Sequence, residues 1–148
     1  MMYYQLRIAE KKDVQAIKSF IEKAGLISEG IEDIAEYFVV MESDENTIVA
    51  SLGIEPVNGD GLLRSLVVSE NINQAHLLSL FESIHALGKE KGLLGSYLVT
   101  NKKSSIEFLT LIGFQSVEQN EIPEHLLNSA HFKESLEKEH AVVMVKTS

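Results

Sequence analysis

Apolar and polar positions along the chain mark out alternating strands and helices. Tyr4-Gln5-Leu6-Arg7-Ile8 alternates as a half-buried strand does. Glu10-Lys11-Lys12-Asp13 reads as a helix start that Glu10 can cap, and Val14, Ile17, Phe20, Ile21 and Ala24 follow at helical spacing before Gly25 stops the helix. A second short helix is predicted over 29–37, with Ile31, Ile34 and Ala35 facing inward. Strands over 38–41 and 47–54, joined by the polar turn Ser43-Asp44-Glu45-Asn46, make an antiparallel hairpin. Asn58-Gly59-Asp60-Gly61 is the next turn. The nearly continuous apolar run over 62–68 predicts a strand buried on both faces.

The second half of the pattern is a crossover. Residues 74–91 read as a helix whose inner face is Leu77, Leu80, Phe81, Ile84 and Leu87, ended by Gly92. Strands are predicted over 96–100, 114–117 and 141–146. Helices are predicted over 104–112, capped by Gly113, and over 123–138, opened by Pro123. With no repeat, linker or low-complexity segment, 1–148 reads as a single mixed α/β domain: an antiparallel start followed by a β-α-β unit around residue 74.

Composition narrows the functions. A formal net charge of −9 leaves no clustered cations for a nucleic-acid partner, and an acidic surface attracts amines. The chain has no cysteine, which removes disulfides, thiol nucleophiles and thiolate metal sites and fits a cytoplasmic protein. No apolar run is long enough to span a membrane, and no signal peptide is read at the N-terminus. The five histidines fall at no ligand spacing, so no metal site is expected.

The order of elements, together with "LRIAEKKDVQAIKSFI" at the start, "GLLRSLVVSE" in the centre and "SSIEFLTLIGF" ending in Gly113-Phe114, resembles the GNAT family of N-acetyltransferases over essentially the whole chain. The stretch "LLRSLVVS" is most similar to small bacterial members of the amino-acid and arsenic-resistance type. The resemblance implies an acyl-CoA N-acyltransferase-like fold, a central mixed, mostly antiparallel sheet flanked by helices. It implies transfer of an acetyl group from acetyl-CoA to a small amine or amino-acid-like substrate. The co-substrate is expected in a cleft between 62–68 and 96–100. There the backbone of Leu66, Val67 and Val68 pairs with the pantetheine arm, and the amides opening the next helix hold the pyrophosphate. Exposed strand edges in this architecture make a homodimer an expected arrangement.

The family's phosphate turn, built on Arg or Gln and glycines, falls here on Asn73-Gln74-Ala75-His76-Leu77-Leu78. This chain has no glycine between Gly61 and Gly88 and no Lys or Arg over 71–81. Glycine permits positive φ and close approach of backbone to phosphate, so the departure points to weakened or altered donor binding. The alternative is a non-catalytic module that binds a ligand or partner. The family's downstream Asn falls at Lys102, one residue from Asn101. Its proton-donating Tyr falls at Leu109, which has no proton to give and reads as core.

For the chemistry itself, Glu55 is the leading general base, against a solvated carboxylate at a strand end. Arg64, inside an apolar run, needs a partner: a substrate carboxylate, or an acid on a neighbouring strand. Ser65 lacks a base and is rejected as a nucleophile, and Glu70 reads as a helix-entry charge. Tyr97 is placed for substrate contact or for core packing.

Overall fold

The computed structural model describes residues 4–147. Seven strands form one sheet: β1 (Tyr4–Ile8), β2 (Phe38–Ser43), β3 (Ile48–Val57), β4 (Asp60–Val68), β5 (Gly95–Thr100), β6 (Gln115–Val117) and β7 (Val142–Thr147), in the order β1-β2-β3-β4-β5-β7-β6. The β1–β2, β2–β3, β5–β7 and β6–β7 pairs are antiparallel, whereas β4 and β5 run parallel. The helices are α1 (Val14–Lys23), α2 (Gln74–Glu90), α3 (Lys103–Leu111), α4 (Glu124–Leu127) and α5 (Ala130–Leu136). α2 is the crossover that a parallel pair requires.

Contacts gather in two compact units. One runs up to Glu55 and includes Leu63–Leu87. The other holds Pro56–Leu62 and everything from Gly88 on. In the first, Ile17, Ile21, Ile31, Phe38 and Val40 form the buried core, with Phe20, Ile34, Ile48 and Val67 packed against it. Gly53 pairs with Phe38 across β2 and β3, and a Cβ there would sit 2.5 Å from the Phe38 ring, so this position admits only glycine without repacking. In the second, Leu62, Leu126, Phe132 and Val143 form the core, lined by Val57, Tyr97, Val99, Val117, Ile122 and Leu136.

Four expectations change. The stretch 29–37 is two separate 3-10 turns, Ile31–Asp33 and Ala35–Tyr37, because Ile34 between them leaves helical backbone at φ −130°, ψ 28°, while Gly30, left-handed at φ 86°, only precedes the first. Helix 123–138 is broken in two: α4 ends on Asn128, and Ser129 starts α5, its hydroxyl accepting from the Phe132 amide. Asp60 and Gly61 belong to β4, since Asn58 (φ 46°) and Gly59 (φ 89°) suffice for a two-residue hairpin turn. The strand over 62–68 is not buried throughout, because Leu66 and Val68 are exposed at 41% and 42%.

Candidate functional site

The β3–β4 hairpin brings Glu55 and Arg64 within reach of each other. Arg64 Nη1 donates to Glu55 Oε1 at 2.8 Å, with the Arg64 side chain 8% exposed and Glu55 25%. In this structure the partner of Arg64 is an acid on the neighbouring strand. A guanidinium so far out of water needs such a charge-assisted bond. Glu55 stands inside β3, close to its end and still reached by solvent.

Beyond Arg64 the strand changes character. Ser65 lies at φ 59°, a left-handed residue within β4, and Arg64 Nε donates to its hydroxyl at 3.3 Å. After it Leu66 and Val68 face outward on one side while Val67 packs on the core. Ser69 then returns to the ladder, its amide donating to the Val49 carbonyl at 2.8 Å.

α2 begins five residues further on, and its entry is built from its own side chains. The His76 amide donates to Asn73 Oδ1 at 2.9 Å, and the Asn73 amide donates back to His76 Nδ1 at 3.3 Å. This is a reciprocal capping box in which histidine takes the place usually held by Glu or Gln. The Tyr4 and His76 rings meet edge to face, centroids 4.8 Å apart. Of the first-turn amides, the cap uses that of His76 and does not use those of Gln74 and Ala75. Leu78 is exposed, and Leu77 is half-buried.

The remaining sequence candidates fall in the second unit. Tyr97 is half-buried among the apolar residues of that core. Its hydroxyl is pushed above the ordinary tyrosine range by burial and then by the charge of Asp60. Asn101 is exposed past the end of β5, and its amide donates to the Glu139 carbonyl at 3.4 Å. Lys102 is exposed just before α3, and Leu109 is a core residue.

Sequence reasoning missed two features. In the second unit His125 Nε2 contacts Asp60 Oδ2 at 2.7 Å across 65 residues of chain, a pairing with no local signal. In the first unit Arg7 binds both oxygens of Asp13 at 2.8 Å and holds Glu42 through Nε at 2.5 Å. The Arg7 hydrogen bonds hold the Asp13 carboxyl down at about 2, and Asp13 also accepts from the Glu10 amide at 2.7 Å. Glu10 and Asp13 thus form a reciprocal capping box at the start of the Lys11–Asp13 turn that leads into α1. Among the described residues no group of three or more His, Asp or Glu is arranged for a metal, and no helix is long and apolar enough to cross a membrane.

The fold has counterparts among solved structures. An acetyltransferase of the GNAT family from Staphylococcus aureus Mu50 superposes with TM-score 0.76 at 16% identity, over 98% of this chain and 99% of that one. Rv2747 from Mycobacterium tuberculosis, solved with CoA, gives 0.76 at 15% identity, over 97% and 99%. N-acetylglutamate synthase from Neisseria gonorrhoeae, solved with coenzyme A and N-acetyl-glutamate, gives 0.75 at 18%; 98% of this chain matches 35% of that enzyme, about a third of its length. The fold is therefore that of the GNAT acyltransferases. No protein-family model matches the sequence. The chain is 41% identical to the uncharacterized protein YwlB of Bacillus subtilis (strain 168), over 99% of each, and it belongs with YwlB to one family of this fold.

Proposed function

We propose that the protein is an acetyl-CoA-dependent N-acetyltransferase acting on a small amine, with the donor held along the first unit. The observation that carries this reading is the exposed end of β4. Leu66 and Val68 stand open at 41% and 42%, and the chain runs from there directly into the amide end of the 17-residue α2. An apolar strand end suits a pantetheine arm. The amides of Gln74 and Ala75 suit a phosphate oxygen, through unpaired donors and the positive end of the helix dipole. The fit is partial: the His76 amide already serves Asn73, His76 and Leu78 supply bulk where the family has small residues, and Asn73 stands where it has Arg or Gln. Donor binding weaker than in members with the glycine turn follows.

The donor supplies an activated acetyl thioester. Of this chain's own groups, Glu55 takes the proton from the amine before attack, and Arg64 holds Glu55 in place. The same pair of opposite charges suits an acceptor that itself carries an ammonium and a carboxylate, which is the amino-acid-like class. In this reading no role is assigned to Tyr97 or Asn101.

The self-capped helix entry also favours a second reading, a non-catalytic module of the same fold that binds a ligand or protein partner. Titration calorimetry with acetyl-CoA separates the two, with pantetheine as the fragment control. Binding in the micromolar range that needs the nucleotide half supports the enzyme. An amine screen on Glu55→Gln then has an expected loss in turnover of about 10²-fold or more. Absence of binding at millimolar acetyl-CoA ends the acetyltransferase reading.

A further inference from the structure

Ser65 is an unusual residue to find left-handed. Glycine, and to a lesser degree Asn and Asp, adopt positive φ routinely; a serine within a strand does not. It is 8% exposed, so its peptide groups have no recourse to water and must be paired within the protein. Its carbonyl accepts from the hydroxyl of Ser51, a residue of β3 that is 0% exposed, at 2.9 Å. Its own hydroxyl accepts from Arg64 Nε, and Arg64 in turn holds Glu55. The kink thus stands between the two features assigned to the site, with the Glu55–Arg64 pair before it and the exposed Leu66 and Val68 after it. Strain of this kind persists only where the surroundings over-determine it.

We propose that the Ser51 hydroxyl is a lock on this kink, and that Ser51 and Ser65 are positioning residues which aim the 66–68 segment outward while keeping Arg64 turned toward Glu55. The use of that segment as the donor's binding strand rests on the acetyltransferase reading; the lock itself does not. Removing the Ser51 hydroxyl takes a buried donor from this carbonyl at a left-handed residue, and the strand gains by relaxing toward an ordinary extended course.

The test uses the full chain. Hydrogen exchange read by mass spectrometry on a peptide covering 63–70 is compared between wild type, Ser51→Ala and Ser51→Thr, with a peptide covering 14–23 as the internal reference. Ser51→Ala is expected to speed exchange in 63–70 tenfold or more without moving the reference, and Ser51→Thr, which keeps a hydroxyl, to restore it. Melting temperatures of Ser65→Gly and Ser65→Val form a second arm that does not depend on Ser51→Ala folding. Both variants remove the hydroxyl that accepts from Arg64 Nε; glycine, to which φ 59° costs nothing, is expected to melt several degrees above the β-branched valine. Acetyl-CoA affinity is expected to weaken at least fivefold in Ser51→Ala. Unchanged exchange in 63–70 for Ser51→Ala, or equal melting of the glycine and valine variants, overturns the lock. Absence of acetyl-CoA binding by wild type overturns the donor reading instead, and leaves the exchange and melting arms to decide the lock.

Discussion

Strand β4 carries one member of each of two acid–base pairs. In the first unit Arg64 is held by Glu55 at 2.8 Å; in the second Asp60 is held by His125 at 2.7 Å. The contact lengths are nearly equal, yet the two pairs differ in physical kind. Arg64 is charged at every working pH and its side chain is 8% exposed, so it cannot be there without an anion. His125 is charged only when protonated, and as a neutral imidazole it still donates one hydrogen bond to Asp60. The first pair is therefore obligatory for its surroundings, and the second is an adjustable tie between α4 and the start of β4. The obligatory pair is also the one beside the strained Ser65 and the exposed end of the strand, where a reaction would need fixed charges.

Substitutions can break or sharpen that contrast. The largest effect is expected from Arg64→Met, which withdraws the guanidinium from the half-buried Glu55 and should cost about 2–3 kcal/mol in urea unfolding. A cost below that of the Asp60 change described next would mean that solvent, and not Arg64, carries the Glu55 charge. Asp60→Asn keeps an oxygen that accepts from the His125 ring, and a loss of only about 1 kcal/mol is expected. The same variant removes the Asp60 charge from the neighbourhood of Tyr97. The tyrosine should then ionise closer to its ordinary pH, read by ultraviolet difference titration against Tyr97→Phe.

A third pair, Arg7–Asp13, extends the obligatory kind to α1 and has a definite pH signature. The folded carboxyl titrates at about 2, below its ordinary 3.8. Its stabilisation is therefore complete above about pH 4 and is lost as the pH falls through about 2. The expected contribution, after allowance for solvent screening, is about 1–2 kcal/mol. Acid unfolding of Asp13→Asn should show a shallower decline over that window than wild type; identical curves would remove the pair from the account. The smallest effect belongs to Lys18 and Glu32, an exposed contact at 2.9 Å in which each group favours the other's charged form. Lys18→Ala should leave the melting temperature unchanged within error.

Much of this organisation was legible in the sequence, for local reasons. Alternating patterns, apolar runs between turn residues and period-3.6 spacing located the seven described strands and the helices α1, α2 and α3, because burial dictates residue spacing within an element. The Asn58-Gly59 turn brings β3 back against β4, so Arg64 in an apolar run already demanded an acid nearby, and Glu55 lies nine residues away. Leu109 read as core and is core. The composition of 73–78 was equally plain, since the presence or absence of glycine and cations is a matter of sequence alone.

Tertiary structure decided the rest. Nothing in "LLRSLVV" distinguishes a serine that turns left-handed from one that continues the strand. The choice depends on a buried hydroxyl, Ser51, that reaches the carbonyl from the neighbouring strand. Exposure of Leu66 and Val68 runs against their hydrophobicity and is seen only in the folded chain. Asn73 and His76 close a cap on each other only because the helix begins between them, and Asp60 meets His125 only when the chain has folded. Periodicity reports which side of an element faces a core. Strain, caps and long-range pairs are settled by which polar groups are left without water, and that is known only once the chain is packed.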